Sequence, residues 1–118
     1  MHDLIERIEA AKGGSRELDE EIAFTVFPQL EKLCGKFYIN GLPCSIEHYT
    51  ESLDAALLLV PEGWSWAAGT GGKPYVYRPY ARVYPSIVER DGIGYGCADT
   101  PALALVAACL RAIGRIRE

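Results

Sequence analysis

Residues 49–60 read Y-T-E-S-L-D-A-A-L-L-L-V, and residues 100–113 read T-P-A-L-A-L-V-A-A-C-L-R-A-I. Both have helical period. In the first, Thr50 or Ser52 supplies a cap, and Leu53, Ala56, Leu57 and Val60 follow on one face until Pro61-Glu62-Gly63 ends the run. In the second, Thr100 is the cap and Pro101 takes the first helical position, where an N–H has no partner in any case. Residues 102–110 are apolar nearly all round, which predicts a buried helix, and their alanines let another backbone come close. Between these segments the period changes to two. Trp64-Ser65-Trp66, Tyr75-Val76-Tyr77-Arg78 and Tyr80-Ala81-Arg82-Val83-Tyr84 alternate as strands do, with the Gly69-Thr70-Gly71-Gly72 turn and Pro79 between them. Gly92-Ile93-Gly94-Tyr95-Gly96-Cys97 would place Ile93, Tyr95 and Cys97 on one face of a strand and only glycines on the other. A bare face of this kind marks the close approach of a backbone, a ring or a ligand. An aromatic side chain from a neighbouring strand is the plain expectation, and a ligand floor is the other.

These segments define an α-β-β-β-α core over residues 49–114 and an α+β class. Its small antiparallel sheet, of about three to five strands, should draw on segments near 64–68, 75–84 and 92–97. The helices should lie near 50–60 and 100–114, with Leu57, Val60, Leu103, Val106, Ala107 and Leu110 buried against the sheet. Residues 1–27 add a helical pair. Leu4, Ile5, Ile8 and Ala11 share a face near 3–12, after a capping-box-like Asp3 and Glu6, and Gly13-Gly14 stops that helix. Ser15 caps a second near 16–26, with Leu18, Ile22, Ala23 and Val26 inward and Arg16, Glu17, Asp19, Glu20 and Glu21 outward as a solvated face. In the middle, Lys36-Phe37-Tyr38-Ile39 has strand character and Asn40-Gly41 is a tight-turn signal. Residues 42–46 should then return as a short edge strand, because Pro43 cannot donate to a ladder.

A chain of 118 residues, 49% hydrophobic and 24% charged, forms one domain with a core of its own. The longest apolar run is too short to cross a bilayer, and the charged N-terminus lacks the order of a secretion signal. Cytoplasmic residence follows as an expectation, with Cys34, Cys44, Cys97 and Cys109 as reduced thiols. Cys34, Cys44 and His48 lack the close Cys pair that structural zinc sites use, so neither a metal nor a cofactor is expected. A net charge of -4 argues against general nucleic-acid binding. Helix-strand-strand-strand-helix is also the order of double-stranded RNA-binding domains. Such domains place lysines at the start of the last helix, whereas Asp99-Thr100-Pro101-Ala102-Leu103 holds no cation there.

The phrases Y-T-E-S-L-D-A-A-L, V-P-E-G-W and T-P-A-L-A-L resemble those of the phage ABA-sandwich domain family, small proteins of phages and prophages. The resemblance covers a little over half the chain. It implies the helix–sheet–helix fold and a phage setting, and it supplies no reaction.

Functional chemistry concentrates between Trp64 and Tyr84. Trp64, Trp66, Tyr75 and Tyr77 could stack on a base, while Lys73, Arg78 and Arg82 could hold phosphate. Plain sheet packing of the tyrosines is the competing reading. Gly69-Thr70-Gly71-Gly72-Lys73 lacks phosphate-loop spacing, and Pro74 stands where the hydroxyl should be, so an NTPase is rejected. No nucleophile elbow surrounds any serine, and Glu47-His48 near Cys44 is adjacency in sequence without geometry. Two non-enzymatic functions remain. One is a phage accessory protein that sequesters a nucleotide-like signal as a counter-defence sponge. The other is an interaction module for a host or phage protein. A homo-oligomer fits either, through the Ala-rich helix or an open sheet edge.

Overall fold

A computed structural model of the chain describes residues 2–69, 79–85 and 94–116, with side chains to residue 114. The order is α1 (His2–Ala10), α2 (Arg16–Val26), β1 (Leu30–Leu33), β2 (Lys36–Ile39), β3 (Leu42–Cys44), α3 (Leu53–Leu57), β4 (Trp64–Gly69), β5 (Tyr80–Pro85), β6 (Gly94–Cys97) and α4 (Pro101–Ile116). The class is α+β. Among the described residues, β4-β5-β6 form the antiparallel sheet expected of the core, and the hairpin expected near 36–46 belongs to a second antiparallel three-stranded sheet, ordered β1-β2-β3.

Helix α4 is the axis of the molecule. Thr100 Oγ1 accepts from Leu103 N–H at 3.2 Å, as the sequence indicated. Residues 102–110 are all buried, with β5 and β6 on one side and α1 and α3 on the other. The glycine strand explains how the helix comes so near. A Cβ built on Gly96 would lie 2.1 Å from the Ala104 carbonyl oxygen, and one on Gly94 would lie 2.1 Å from that of Ala108. The cover over the glycine face is therefore the α4 backbone, not a neighbouring aromatic ring and not a ligand. The same burial takes the Ala-rich helix out of contention as a self-association surface.

Helix α3 is shorter than the 50–60 expected. Ser52 is its cap, Ala55 and Ala56 are its buried residues, Leu59 just beyond its end is buried too, and Leu57 and Val60 are only half-buried. Thr50 is held elsewhere. Its N–H and Oγ1 donate to Asp19 Oδ1 at 2.9 and 2.7 Å, and Oγ1 accepts from Ser15 N–H at 2.8 Å. Arg16 donates to Asp19 Oδ2 and to the carbonyls of Ile46 and Glu47. Asp19 is thus fully buried, contrary to its expected place on the solvated face of α2. A carboxylate can be buried when donors surround it, and here they pin residues 46–50 to the start of α2.

The β1–β3 sheet contains the expected hairpin, with Asn40 and Gly41 at φ 52° and 80° in the turn. An unexpected first strand joins it through Cys34 and Gly35, at φ 50° and 78°. Phe37 meets Phe24 of α2 with ring centroids 6.2 Å apart, which fastens this sheet to the helical pair.

Candidate functional site

Strand register divides the β4–β6 sheet into two faces. Trp66 pairs with Val83 and Val83 with Gly94, so Trp64, Trp66, Ala81, Val83, Gly94 and Gly96 share the α4 side. Ser65, Ala67, Gly69, Tyr80, Arg82, Tyr84, Tyr95 and Cys97 share the opposite face. On that outer face Arg82 is exposed, and its guanidinium carbon lies 5.2 Å from the Tyr84 ring centroid. Tyr95, 58% exposed, stands directly across from it on β6, and Tyr80, 48% exposed, lies two residues along β5. The Tyr80 ring leans over Gly69, where a Cβ would be 2.9 Å from it. On the β4 side of Arg82 stand only Ser65, Ala67 and Gly69. The Arg82 guanidinium thus stands among tyrosines of two strands on an exposed sheet face.

The residues expected to act together divide accordingly. Arg82 belongs to the outer face, whereas half-buried Trp64 and exposed Trp66 lie on the α4 side. The structure does not bring Trp66 and Arg82 to one site. Lys73, Tyr75, Tyr77 and Arg78 fall outside the described residues. Tyr80, Tyr84 and Tyr95 are the neighbours of Arg82 that the sequence reading omitted. Their signal was present, since Y-A-R-V-Y alternates and a glycine face turned inward sends Tyr95 outward.

The exposed end of β6 is closed by an ion pair. The Ala98 N–H donates to the Pro79 carbonyl, which fixes the ladder's alternation and turns the backbone groups of Tyr95 and Cys97 away from β5. Cys97 N–H donates to Glu9 Oε2 at 3.2 Å, and Arg111 donates to the Tyr95 carbonyl at 2.6 Å. Arg111 also donates to both Glu9 oxygens, and that hydrogen bonding raises its already high pKa.

Other features are structural. A cavity of about 310 Å³ contains Arg16 and Lys36 in its wall, but Arg16 is committed to Asp19 and two carbonyls. A second, of about 230 Å³, is mainly apolar, with Phe27, Leu30, Ile39 and Tyr49 in its lining. Burial, reinforced by Glu47 and Asp19, raises the pKa of Tyr49. Burial also pushes the Cys109 thiol up to about 12, so it is an inert core group. The four cysteines are free thiols. Among the described residues there is no group of three or more His, Cys, Asp and Glu that could hold a metal ion. No described helix is long and apolar enough to cross a membrane. Compared with family models, curated proteins and solved structures, the chain matches none.

Proposed function

We propose that the protein is a non-enzymatic interaction module that engages a protein partner through the outer face of the β4–β6 sheet. One observation carries this reading: an exposed arginine surrounded by Tyr80, Tyr84 and Tyr95 on a flat, open surface. Tyrosine and arginine are the residues enriched where protein interfaces concentrate their binding energy, because they offer large contact area together with directed polar groups. The separation of Trp66 from Arg82 removes one ring–cation pair from the nucleotide clamp, whose other members Tyr75, Tyr77 and Arg78 lie outside the described residues. A phage or prophage accessory role in the bacterial cytoplasm rests on the resemblance of the Y-T-E-S-L-D-A-A-L and T-P-A-L-A-L phrases.

Affinity capture from the host with wild-type and Arg82→Glu baits tests this, paired with calorimetric titration of a nucleotide panel. The expected result is a specific protein retained by wild type and lost by the variant, with no heat from any nucleotide. Heat that disappears in Arg82→Ala would instead assign the face to small anions and restore sequestration.

A further inference from the structure

The edges of the two sheets are not treated alike. β1 carries Glu31 and Lys32, and β3 is three residues long with Pro43 at its centre. Charge, shortness and proline are all devices that keep an edge from pairing. At β6 the Tyr95 carbonyl and the Cys97 N–H, two of the outward groups, are taken by Arg111 and Glu9. β4 has none of these protections. It reads W-S-W-A-A-G, without charge or proline. The ladder's alternation turns the N–H and C=O of Trp66 and Ala68 outward, and among the described residues nothing takes them. The Trp66 side chain, 41% exposed, stands on the same edge.

We propose that β4 is a self-association strand. Two copies pair their β4 edges antiparallel about a two-fold axis normal to the sheet, with Trp66 of one copy opposite Trp66 of the other. In that register the two Trp66 residues exchange N–H···O=C bonds, and each Ala68 N–H reaches the Trp64 carbonyl of the other copy. The Trp64 N–H needs no new partner, because it already donates to the Pro61 carbonyl at 3.1 Å. The indoles become a cross-strand pair on the α4 side of the joined sheet and leave water. A second copy suits this edge because the register is self-complementary residue by residue. Because the two-fold axis pairs β4 only with β4 of the other copy, the contact closes at two copies and does not propagate. The axis also sets both tyrosine–arginine faces on the same side of one continuous sheet, so dimerisation would double the proposed working surface.

Sedimentation velocity on the full chain, across roughly a hundredfold range of concentration, tests this. Wild type should approach twice the monomer mass as concentration rises. Trp66→Lys, which puts a charge at the pair's centre, and Ala68→Pro, which removes an outward N–H, should each halve that mass, with circular dichroism confirming the fold. Leu42→Lys on edge strand β3 should leave the dimer intact. If Ala68→Pro does not fold, Trp66→Lys decides. A wild-type monomer throughout the range, or a folded Trp66→Lys variant that dimerises like wild type, overturns the proposal. So does a monomer that gains mass only with an added host protein, which would assign the edge to a different chain.

Discussion

At the scale of single residues, Gly96 and Gly94 have the least latitude, because the α4 carbonyls occupy the space a side chain would need. Gly96→Ala must push helix and strand apart, and overpacking of this kind costs about 1–3 kcal/mol or more. Gly13→Ala, with nothing within 4 Å of the added carbon, should stay within about 0.5 kcal/mol of wild type. Urea midpoints of the two variants compare them directly, and equal midpoints would remove α4 from the glycine face. Cys109 gives a second expectation, in pH. Its thiol ionises near 9.0 when exposed and about 12 when folded, so burial favours the neutral form. Because the folded value is the raised one, the contribution is complete below about pH 9 and is lost as pH climbs toward 12. The loss should reach about 4 kcal/mol across that window. Alkaline urea titrations of wild type and Cys109→Ala should show the variant losing less stability between neutral and alkaline pH. Parallel losses would place the decline at other groups.

At the scale of elements, periodicity located most of the structure and local chemistry its ends. Ser15 and Thr100 cap where expected, and Asn40-Gly41 turns where expected, since each acts through atoms within a few residues. The strand at Leu30–Leu33 was not legible, because Gly35 is the single turn signal there, Cys34 being an uncommon residue at positive φ, and Leu30-Glu31-Lys32-Leu33 does not alternate. Asp19 was misread for a different reason. In sequence it belongs to the acidic run of Glu17, Glu20 and Glu21, although on the helix it lies with Ile22 and Ala23, three and four residues on, and its donors include Thr50, 31 residues away. No local pattern records such a pairing. Asp19→Ala should therefore cost more than an exposed acid would, because the buried Thr50 N–H and hydroxyl lose their acceptor. An unsatisfied buried group costs about 1–3 kcal/mol. Matching denaturation of Asp19→Ala and Glu17→Ala checks this, and indistinguishable midpoints would deny the network a structural role.

At the scale of the molecule, α4 organises everything else. It buries one face of the β4–β6 sheet, receives α1 and α3 on its other side, and sends Arg111 to close the β6 edge with Glu9. Leu103 and Leu110 are fully buried in that arrangement, so truncation of either to Ala should lower unfolding free energy by about 2–5 kcal/mol. Losses within error at both sites would place α4 on the surface. The candidate site was legible only in part. Arg82, expected to hold phosphate, lies exposed, and its neighbours depend on which strands pair and in what register, which are facts of the whole sheet. With one face occupied by α4, the other is left to Tyr80, Arg82, Tyr84 and Tyr95, and the proposed partner surface lies there. Photo-crosslinking in the host cell tests that assignment most directly, with a photoreactive phenylalanine analogue at position 95 or at position 31 on the other sheet. The account predicts a discrete heavier adduct from position 95 that Arg82→Glu abolishes, and none from position 31. Equal adducts from both positions, or none from position 95 in a folded and expressed protein, would contradict it.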